Sequence, residues 1–336
     1  MIASVAFRRF KALRNASLTL APFNLLIGPN GSGKSSLIQA LLRLRTLARL
    51  PLKAPAARLD KLEGSPEITV RFDPPFDDVE ALMTCVSDAQ CDLLEVVPVE
   101  GRRVTSDWSL LRTKLLSTRA YLFDHYAMAL PAPRHDHVRL NSNGGNLAAV
   151  LARWQVEEPQ AFEGVRLQFL RLLPEYQDIE LITRDGGTVE IALRLIEEEE
   201  GLVMAEGLSQ GTLYVLALVV LAHDPDPPAV LSIEEVDRGI HPRLLREVRD
   251  LLYRLSYPAT QGLSRPAVQV IATTHSPYLL DQFREHPEEV VLAEKHGRVA
   301  TFSNLADRAD LAAVLGEGSL GELWFSGILG AVPEEK

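Results

Sequence analysis

The segment that most restricts the fold is a glycine-rich loop between an apolar strand and a helix. Residues 23–27 form the apolar run FNLLI, and a helix is expected from Ser35 to about Arg49. The intervening sequence GPNGSGKS fits the pattern G-x-x-x-x-G-K-[ST]. Glycines in such a loop let successive backbone N–H groups face one anion, and the helix N-terminus adds positive potential. The segment therefore predicts a phosphate-binding loop in an α/β fold.

The loop residues have expected roles if the ligand is a nucleoside triphosphate. Lys34 reaches the β and γ phosphates, and the Ser35 hydroxyl binds Mg²⁺. The predicted nucleotide-contacting residues are Gly28, Pro29, Asn30, Gly31, Ser32, Gly33, Lys34, Ser35 and Ser36. ATP and Mg²⁺ are accordingly the expected cofactors.

Acidic residues and a histidine follow two further apolar strands. The strand at 229–233 ends in Glu234 and Glu235, and the strand at 268–273 is followed by His275. At the carboxyl end of a strand beside a phosphate loop, one acid can bind the metal and the next can polarise a water. We therefore predict Glu234 as a metal ligand, and Glu235 and His275 as catalytic residues. Without the phosphate loop, all three would be read as ordinary strand ends.

A second anion site is predicted before the apolar helix at 211–222. Ser209 and the backbone N–H groups near Gly211 would form it at the helix N-terminus. One chain would then carry two phosphate sites far apart in sequence. Two copies arranged head to tail would bring one site of each chain against the other.

The order of elements predicts an α/β core with an inserted lobe. Strands and helices alternate in the first and last thirds, whereas the middle has two helices and a hairpin at Asp185-Gly186-Gly187. The pattern of apolar and polar residues at 73–140 is mixed, and we assign no helix or strand there. The predicted domains are a first nucleotide-binding part at 1–135, an inserted lobe at 136–223 and a second nucleotide-binding part at 224–336.

The charge of the chain does not favour general nucleic-acid binding. Lys plus Arg number 35 and Asp plus Glu number 45, which gives a formal net charge of −10. One basic stretch could still contact DNA phosphates, although the net charge favours an ordinary charged surface there. It consists of Arg43, Arg45, Arg49, Lys53, Arg58 and Lys61. Three acidic pairs or runs, at 77–78, 157–158 and 197–200, are expected to be solvated rather than metal-binding.

The cysteines and the apolar runs favour a cytoplasmic protein without a membrane segment. Cys85 and Cys91 are the only cysteines, so we expect no disulfide framework, and with no histidine nearby we expect no zinc site. The longest apolar run, 213–222, is shorter than the roughly 20 residues that span a bilayer. No signal-peptide pattern is expected at the N-terminus.

Together these motifs resemble the heads of the ABC-type ATPase superfamily, in particular the RecF-like, SMC-like and OLD-like proteins often called AAA-family ATPases. The matching segments are 7–11 and 23–36 at the opening, 208–212 at the signature loop, 233–242 at Walker B and the D-loop, 273–277 at the switch, and 143–151. The resemblance implies a P-loop NTPase fold of the ABC-ATPase head type with a mixed sheet. It also implies an ATP-sandwiched homodimer, in which Asp237 lies near the junction and His275 near the γ-phosphate.

The chain departs from that family at three points. The metal-binding position carries Glu234 where the family usually has Asp, the Pro-Glu pair after the catalytic acid is Val236-Asp237, and no Q-loop glutamine is assigned. Sustained heptads are absent, which separates the chain from the coiled coils of SMC proteins. About sixty residues follow His275, too few for the Toprim nuclease domain of OLD proteins.

The leading functional hypothesis is an ATP-hydrolysing homodimer in DNA repair or defence. It would act on DNA or drive a separately encoded effector. One alternative is an ATP-dependent switch or clamp with negligible turnover. The other is the nucleotide-binding subunit of a transporter, which the RecF-like opening and the missing Q-loop glutamine disfavour.

Overall fold

The computed structural model describes residues 1–50, 64–87, 90–134, 139–196 and 201–333. Of the predicted features, Lys53, Arg58, Lys61 and the acidic run 197–200 lie outside the described residues. The chain divides into two compact units. Unit 1 comprises 1–120, 228–233 and 264–336, and unit 2 comprises 121–227 and 234–263.

The described residues contain the following strands and helices. The strands are β1 (Ile2–Phe10), β2 (Leu13–Thr19), β3 (Phe23–Ile27), β4 (Glu67–Phe72), β5 (Val79–Ser87), β6 (Gln90–Pro98), β7 (Arg119–Tyr121), β8 (Ala132–Pro133), β9 (Tyr176–Arg184), β10 (Thr188–Leu195), β11 (Leu202–Met204), β12 (Val230–Ile233), β13 (Gln269–Thr273), β14 (Val290–His296) and β15 (Val299–Asn304). The α-helices are α1 (Lys34–Leu47), α2 (Trp108–Leu116), α3 (His125–Ala129), α4 (Leu147–Glu157), α5 (Pro159–Leu172), α6 (Gln210–Ala222), α7 (Leu245–Ser256), α8 (Pro277–Leu280), α9 (Leu311–Leu315) and α10 (Leu320–Phe325).

The sheet that positions the site in unit 1 has the strand order β15-β14-β3-β13-β12-β7. Strands β12, β13, β3 and β14 are parallel, and β15 returns antiparallel to β14. Strands β3, β12 and β13 are buried at every residue, as expected for parallel strands covered on both faces. The registers pair Ala272 of β13 with Leu25 of β3 and with Ile233 of β12. The carboxyl ends of these strands therefore meet at one edge of the sheet.

An antiparallel sheet in unit 1 has the order β2-β1-β4-β5-β6. Helix α1 buries Leu37, Leu41 and Leu44 in the same apolar core as Phe7 and Phe10 from β1. Burying each such side chain stabilises the fold by about 1.5–3 kcal/mol. This core anchors the helix that follows the phosphate loop.

Unit 2 combines helices with a smaller antiparallel sheet. Strand β10 pairs with β8, β9 and β11. Helix α6 is buried from Thr212 to Ala222, and the Tyr214 hydroxyl donates a hydrogen bond to the backbone oxygen of Phe123. Searching the described helices finds none with the length and apolar character needed to cross a membrane.

The structure confirms the predicted fold class and most predicted elements. The strand at 23–27 and the hairpin at Asp185-Gly186-Gly187 are present, and α1 begins one residue before the expected Ser35. The helix predicted at 242–255 is interrupted, because 242–244 form a 3₁₀ turn before α7. The unassigned segment 73–140 contains four strands, β5 to β8, and two helices.

The cysteines do not behave as expected from the sequence. A disulfide joins Cys85 of β5 to Cys91 of β6, and their Cα atoms are 3.6 Å apart. The pairing of β5 with β6 places these two residues opposite each other. The six-residue spacing therefore reflects a hairpin that the sequence pattern did not reveal.

The expectation that the acids at 77–78 are both solvated is wrong for Asp78. Its side chain is 6% exposed and accepts hydrogen bonds from the backbone N–H and hydroxyl groups of both Thr105 and Ser106. The Ser106 hydroxyl, followed by the Thr105 N–H, holds the pKa of this carboxyl well below its usual range. Asp78 thus fixes the segment between β6 and α2.

We predict that Asp78→Asn lowers the free energy of unfolding at pH 7, because the amide replaces a carboxylate surrounded by donors. The lowered pKa makes the stabilising effect complete above the unfolded-state value of about 3.9, and the effect declines as the pH falls below it. Urea unfolding at pH 7 and pH 3 measures this. Asp77→Asn is the matched control, since Asp77 pairs with Arg102 at the surface. An equal difference between wild type and Asp78→Asn at both pH values would contradict the prediction.

Candidate nucleotide site

The glycine-rich loop of unit 1 has a backbone that only glycine permits at its first position. Gly28 has a φ of 145°, and a Cβ atom there would lie 2.0 Å from the backbone oxygen of Ala293 in β14. Helix α1 follows with Gly33 at its N-cap, no capping side chain and no acidic residue in its first turn. The first N–H groups of a helix have no partner within the helix. This N-terminus is therefore available to an anion.

Two polar side chains of the loop are buried. Lys34 is 8% exposed, and its Nζ donates hydrogen bonds to the backbone oxygens of Gly28 at 2.6 Å and Pro29 at 3.0 Å. Ser32 is fully buried, and its Oγ has no hydrogen-bond partner among the described residues. A buried hydroxyl left unpaired costs about 1–3 kcal/mol, so an oxygen-rich ligand at this loop would remove a real penalty.

His275 lies at the same sheet edge of unit 1. Strand β13 ends at Thr273 opposite Leu26 of β3, and the Thr274 N–H donates to the Leu26 oxygen at 3.2 Å. The Thr274 hydroxyl accepts a hydrogen bond from the Ser276 N–H. His275 itself is exposed. Thr274 thus holds the backbone before and after an accessible imidazole, through its own N–H and through the Ser276 N–H.

In unit 2, the two acids open a turn that follows β12. The Glu234 N–H donates to the Tyr121 oxygen at 2.9 Å, which fixes the start of the turn. Glu235 has a φ of 50°, unusual for a residue other than glycine, and its carboxylate lies 3.5 Å from Arg238. The Ile240 N–H then donates to the Asp237 oxygen. Both glutamates are partly exposed, as residues that act on a ligand must be.

The predicted second anion loop packs against this turn. Ser209 is the N-cap of α6, and its Oγ accepts a hydrogen bond from the Thr212 N–H at 3.1 Å. A Cβ atom on Gly211 would lie 2.4 Å from the backbone oxygen of Gly239. The structure therefore brings Ser209 and Gly211 together with the turn that carries Glu235 and Asp237.

Comparison with models of protein families shows the family to which the chain belongs. A family model described as an AAA domain, and naming the AbiEii toxin and type IV toxin–antitoxin systems, matches residues 23–77 and 109–281. These segments make up more than half of the chain. The chain belongs to this AAA family. No curated protein sequence gave a significant match.

Solved structures similar to this AAA domain are SMC heads. One is an SMC head bound to the C-terminal winged-helix domain of ScpA, with 15% identity, a TM-score of 0.58, and coverage of 91% of this chain and 99% of that one. A Pyrococcus furiosus SMC head bound to the C-terminal domain of ScpA has 13% identity, a TM-score of 0.57 and coverage of 94% and 99%. The Thermotoga maritima SMC head has 14% identity, a TM-score of 0.50 and coverage of 90% and 98%. At these identities, the similarity establishes the fold alone.

The AAA domain thus carries its predicted site residues in two groups. Unit 1 holds the loop residues 28–36 and His275, and unit 2 holds Glu234, Glu235, Asp237, Ser209 and Gly211. Sequence reasoning missed two residues that shape the first group, namely Ala293 and Lys295 beside the loop. Both lie far along the chain from the positions they contact, and no local pattern marks them.

Of the basic residues predicted for DNA contact, the structure describes Arg43, Arg45 and Arg49, and the first two are engaged within unit 1. The Arg43 guanidinium lies 5.0 Å from the centre of the Phe10 ring, and the Arg45 Nη1 donates to the Thr118 oxygen at 3.0 Å. Arg49 is exposed. These contacts favour the ordinary-surface interpretation over a DNA site.

We predict that Gly211→Ala destabilises the protein by about 2 kcal/mol. Helix propensity alone predicts a gain of up to about 1 kcal/mol, because alanine replaces glycine in a helix. The contact with the Gly239 oxygen opposes this, since overpacking typically costs about 1–3 kcal/mol. Denaturant unfolding measures whether the substitution lowers or raises the free energy of unfolding. Gln210→Ala, one residue earlier, adds no atom at the contact and serves as the control. A stabilised Gly211→Ala variant would contradict the close approach.

Proposed function

We propose that the chain binds ATP with Mg²⁺ and hydrolyses it to ADP and phosphate. The observation that carries this proposal is the loop of unit 1, which combines the uncapped N-terminus of α1, the buried Lys34 and the unpartnered Ser32 hydroxyl within a few residues. Membership of an AAA family and the fold of SMC heads support it.

The residues available for Mg²⁺ are oxygen donors, which this cation prefers. Ser35 follows Lys34 in the first turn of α1 and is exposed, and Glu234 supplies a carboxylate at the end of β12. Glu234 retains the charge of the more usual aspartate on a longer side chain. When bound, Mg²⁺ would neutralise phosphate charge and orient the β and γ oxygens.

The remaining steps are assigned to side chains of this chain. Lys34 would leave the Gly28 and Pro29 oxygens to bind the β and γ phosphates. Glu235 would accept the proton of the attacking water, and His275 would donate a hydrogen bond to the γ-phosphate. General-base assistance of this kind contributes about 10²–10⁴-fold to a rate.

In the same proposal, two chains enclose two ATP molecules. Ser209 and the N–H groups near Gly211 would contact the γ-phosphate held by the partner copy, with Asp237 near the junction. The Ser209 hydroxyl accepts from Thr212, and its proton remains free to turn toward either the Thr212 hydroxyl or a phosphate. The close packing of Gly211 on Gly239 would couple this loop to the turn that bears Glu235.

The cellular role that we propose is in defence or DNA repair, through a separately encoded effector. The family description names a toxin and toxin–antitoxin systems, and two of the similar SMC heads were solved with a ScpA domain. The internal contacts of Arg43 and Arg45 favour a protein partner over direct DNA contact.

The test is a set of measurements on the full chain. We expect ATP binding that requires the loop, phosphate release that requires Mg²⁺, and a mass by light scattering that doubles with ATP and Mg²⁺. ATP binding and dimerisation without phosphate release would favour the clamp alternative. Failure to bind ATP under any condition would refute the proposal.

A further inference from the structure

Strand β14 supports the phosphate loop along its length. Leu292 of β14 pairs with Ile27, the last residue of β3. Beyond this pair β14 continues to His296, whereas the chain after β3 turns into the phosphate loop. The Ala293 oxygen packs against Gly28. Two residues later, the Lys295 Nζ lies 3.3 Å from the position that a Cβ atom of Gly31 would occupy. An ammonium from a distant part of the sequence therefore lies against the tip of the loop.

The charge around this ammonium is unbalanced. The loop residues 28–35 include no acid, and the first turn of α1 has none. Among the described residues, none forms an ion pair with half-buried Lys295. The adjacent Glu294 carboxylate accepts a hydrogen bond from the Ala331 N–H at 3.2 Å and lies 4.0 Å from His296 Nε2. The Lys295 ammonium thus lies against the loop tip without an ion-pair partner among the described residues.

We propose that Lys295 is a second phosphate-binding lysine that favours a triphosphate over a diphosphate. This inference rests on the proposed nucleotide site. The Lys34 Nζ, which should reach the β and γ phosphates, contacts the first half of the loop at Gly28 and Pro29. Lys295 would therefore add a second cation at the loop tip, away from the half of the loop that Lys34 contacts. Since ATP carries one more phosphate than ADP, an added cation there binds ATP more strongly.

The substitution Lys295→Met removes the charge and keeps an unbranched apolar stem against Gly31. We expect it to weaken ATP binding about tenfold and ADP binding about threefold, with a smaller effect at high salt because screening shortens the reach of the charge. Lys295→Arg should restore the preference for ATP. Fluorescent ATP and ADP analogues, titrated against each full-length variant with Mg²⁺, give both affinities.

Two control variants distinguish the proposed role of Lys295 from the proposed nucleotide site on which it rests. Arg298→Met removes one positive charge from the exposed turn between β14 and β15, so it tests net charge alone and should keep the wild-type ratio. Lys34→Ala tests the nucleotide site itself. If Lys34→Ala abolishes ATP binding while Lys295→Met retains the wild-type ratio of ATP to ADP affinity, the role of Lys295 is refuted and the nucleotide site stands. If Lys34→Ala binds ATP normally, the nucleotide site fails and the inference fails with it.

Discussion

Lys34→Ala is expected to lower ATP affinity by at least a hundredfold while leaving the unliganded fold intact. The side chain is almost fully buried, and its ammonium donates hydrogen bonds to two loop oxygens, those of Gly28 and Pro29. Water can replace a donor to these oxygens, whereas nothing replaces a cation between the β and γ phosphates. The substitution should therefore weaken ATP binding and hardly change the free energy of unfolding without ligand.

Thermal unfolding with and without ATP and Mg²⁺ measures both quantities at once. At a hundred times the dissociation constant, a ligand stabilises the native state by about 2.7 kcal/mol. Wild type should show a rise of a few degrees, and Lys34→Ala should show none at the same ATP concentration. Lys114→Ala, on the exposed face of α2, removes the same charge and should behave as wild type. An unchanged rise in Lys34→Ala would place the ATP site elsewhere.

The parts of the fold that the sequence predicts well are those with a local physical cause. Strand β3 was predicted with its observed bounds, because a strand buried on both faces is a continuous apolar run. The loop after it needs glycines, and Gly28 shows why, since any side chain would collide with Ala293. The hairpin at residues 185–187 likewise follows from its turn residues.

The parts that the sequence did not predict depend on contacts between distant residues. Asp78 resembles a solvated acid, and only the fold brings Thr105 and Ser106 to its carboxylate. Nothing in the sequence around Lys295 marks it as special, and only the pairing of β14 with β3 places it at the loop tip. The pattern of apolar and polar residues in a sequence indicates the local environment of each residue. The position of Lys295 depends instead on the register between β14 and β3.

Glu235→Gln is expected to slow ATP hydrolysis by about 10²–10⁴-fold and to yield a homodimer that persists with ATP. The amide keeps the size of the side chain and removes the base that accepts the proton of water. Folding should depend little on the charge of Glu235, because its ion pair with Arg238 lies at the surface, where such pairs contribute about 0–1 kcal/mol. ATP should then bind without turning over and hold two chains together. Light scattering and phosphate release, each with ATP and Mg²⁺, measure the two effects.

Ser209→Arg, introduced into the Glu235→Gln chain, is expected to prevent that dimer. Arginine is too large for a loop that must approach the phosphate of a partner copy, although each monomer should still bind ATP. The substitution also removes the N-cap of α6, which costs about 1 kcal/mol. Ser209→Ala removes the same cap without adding bulk, so it separates the two causes and should still dimerise, more weakly than with serine. If Glu235→Gln remains monomeric with ATP bound, or if Ser209→Arg dimerises as well as Ser209→Ala, the sandwich mechanism is refuted.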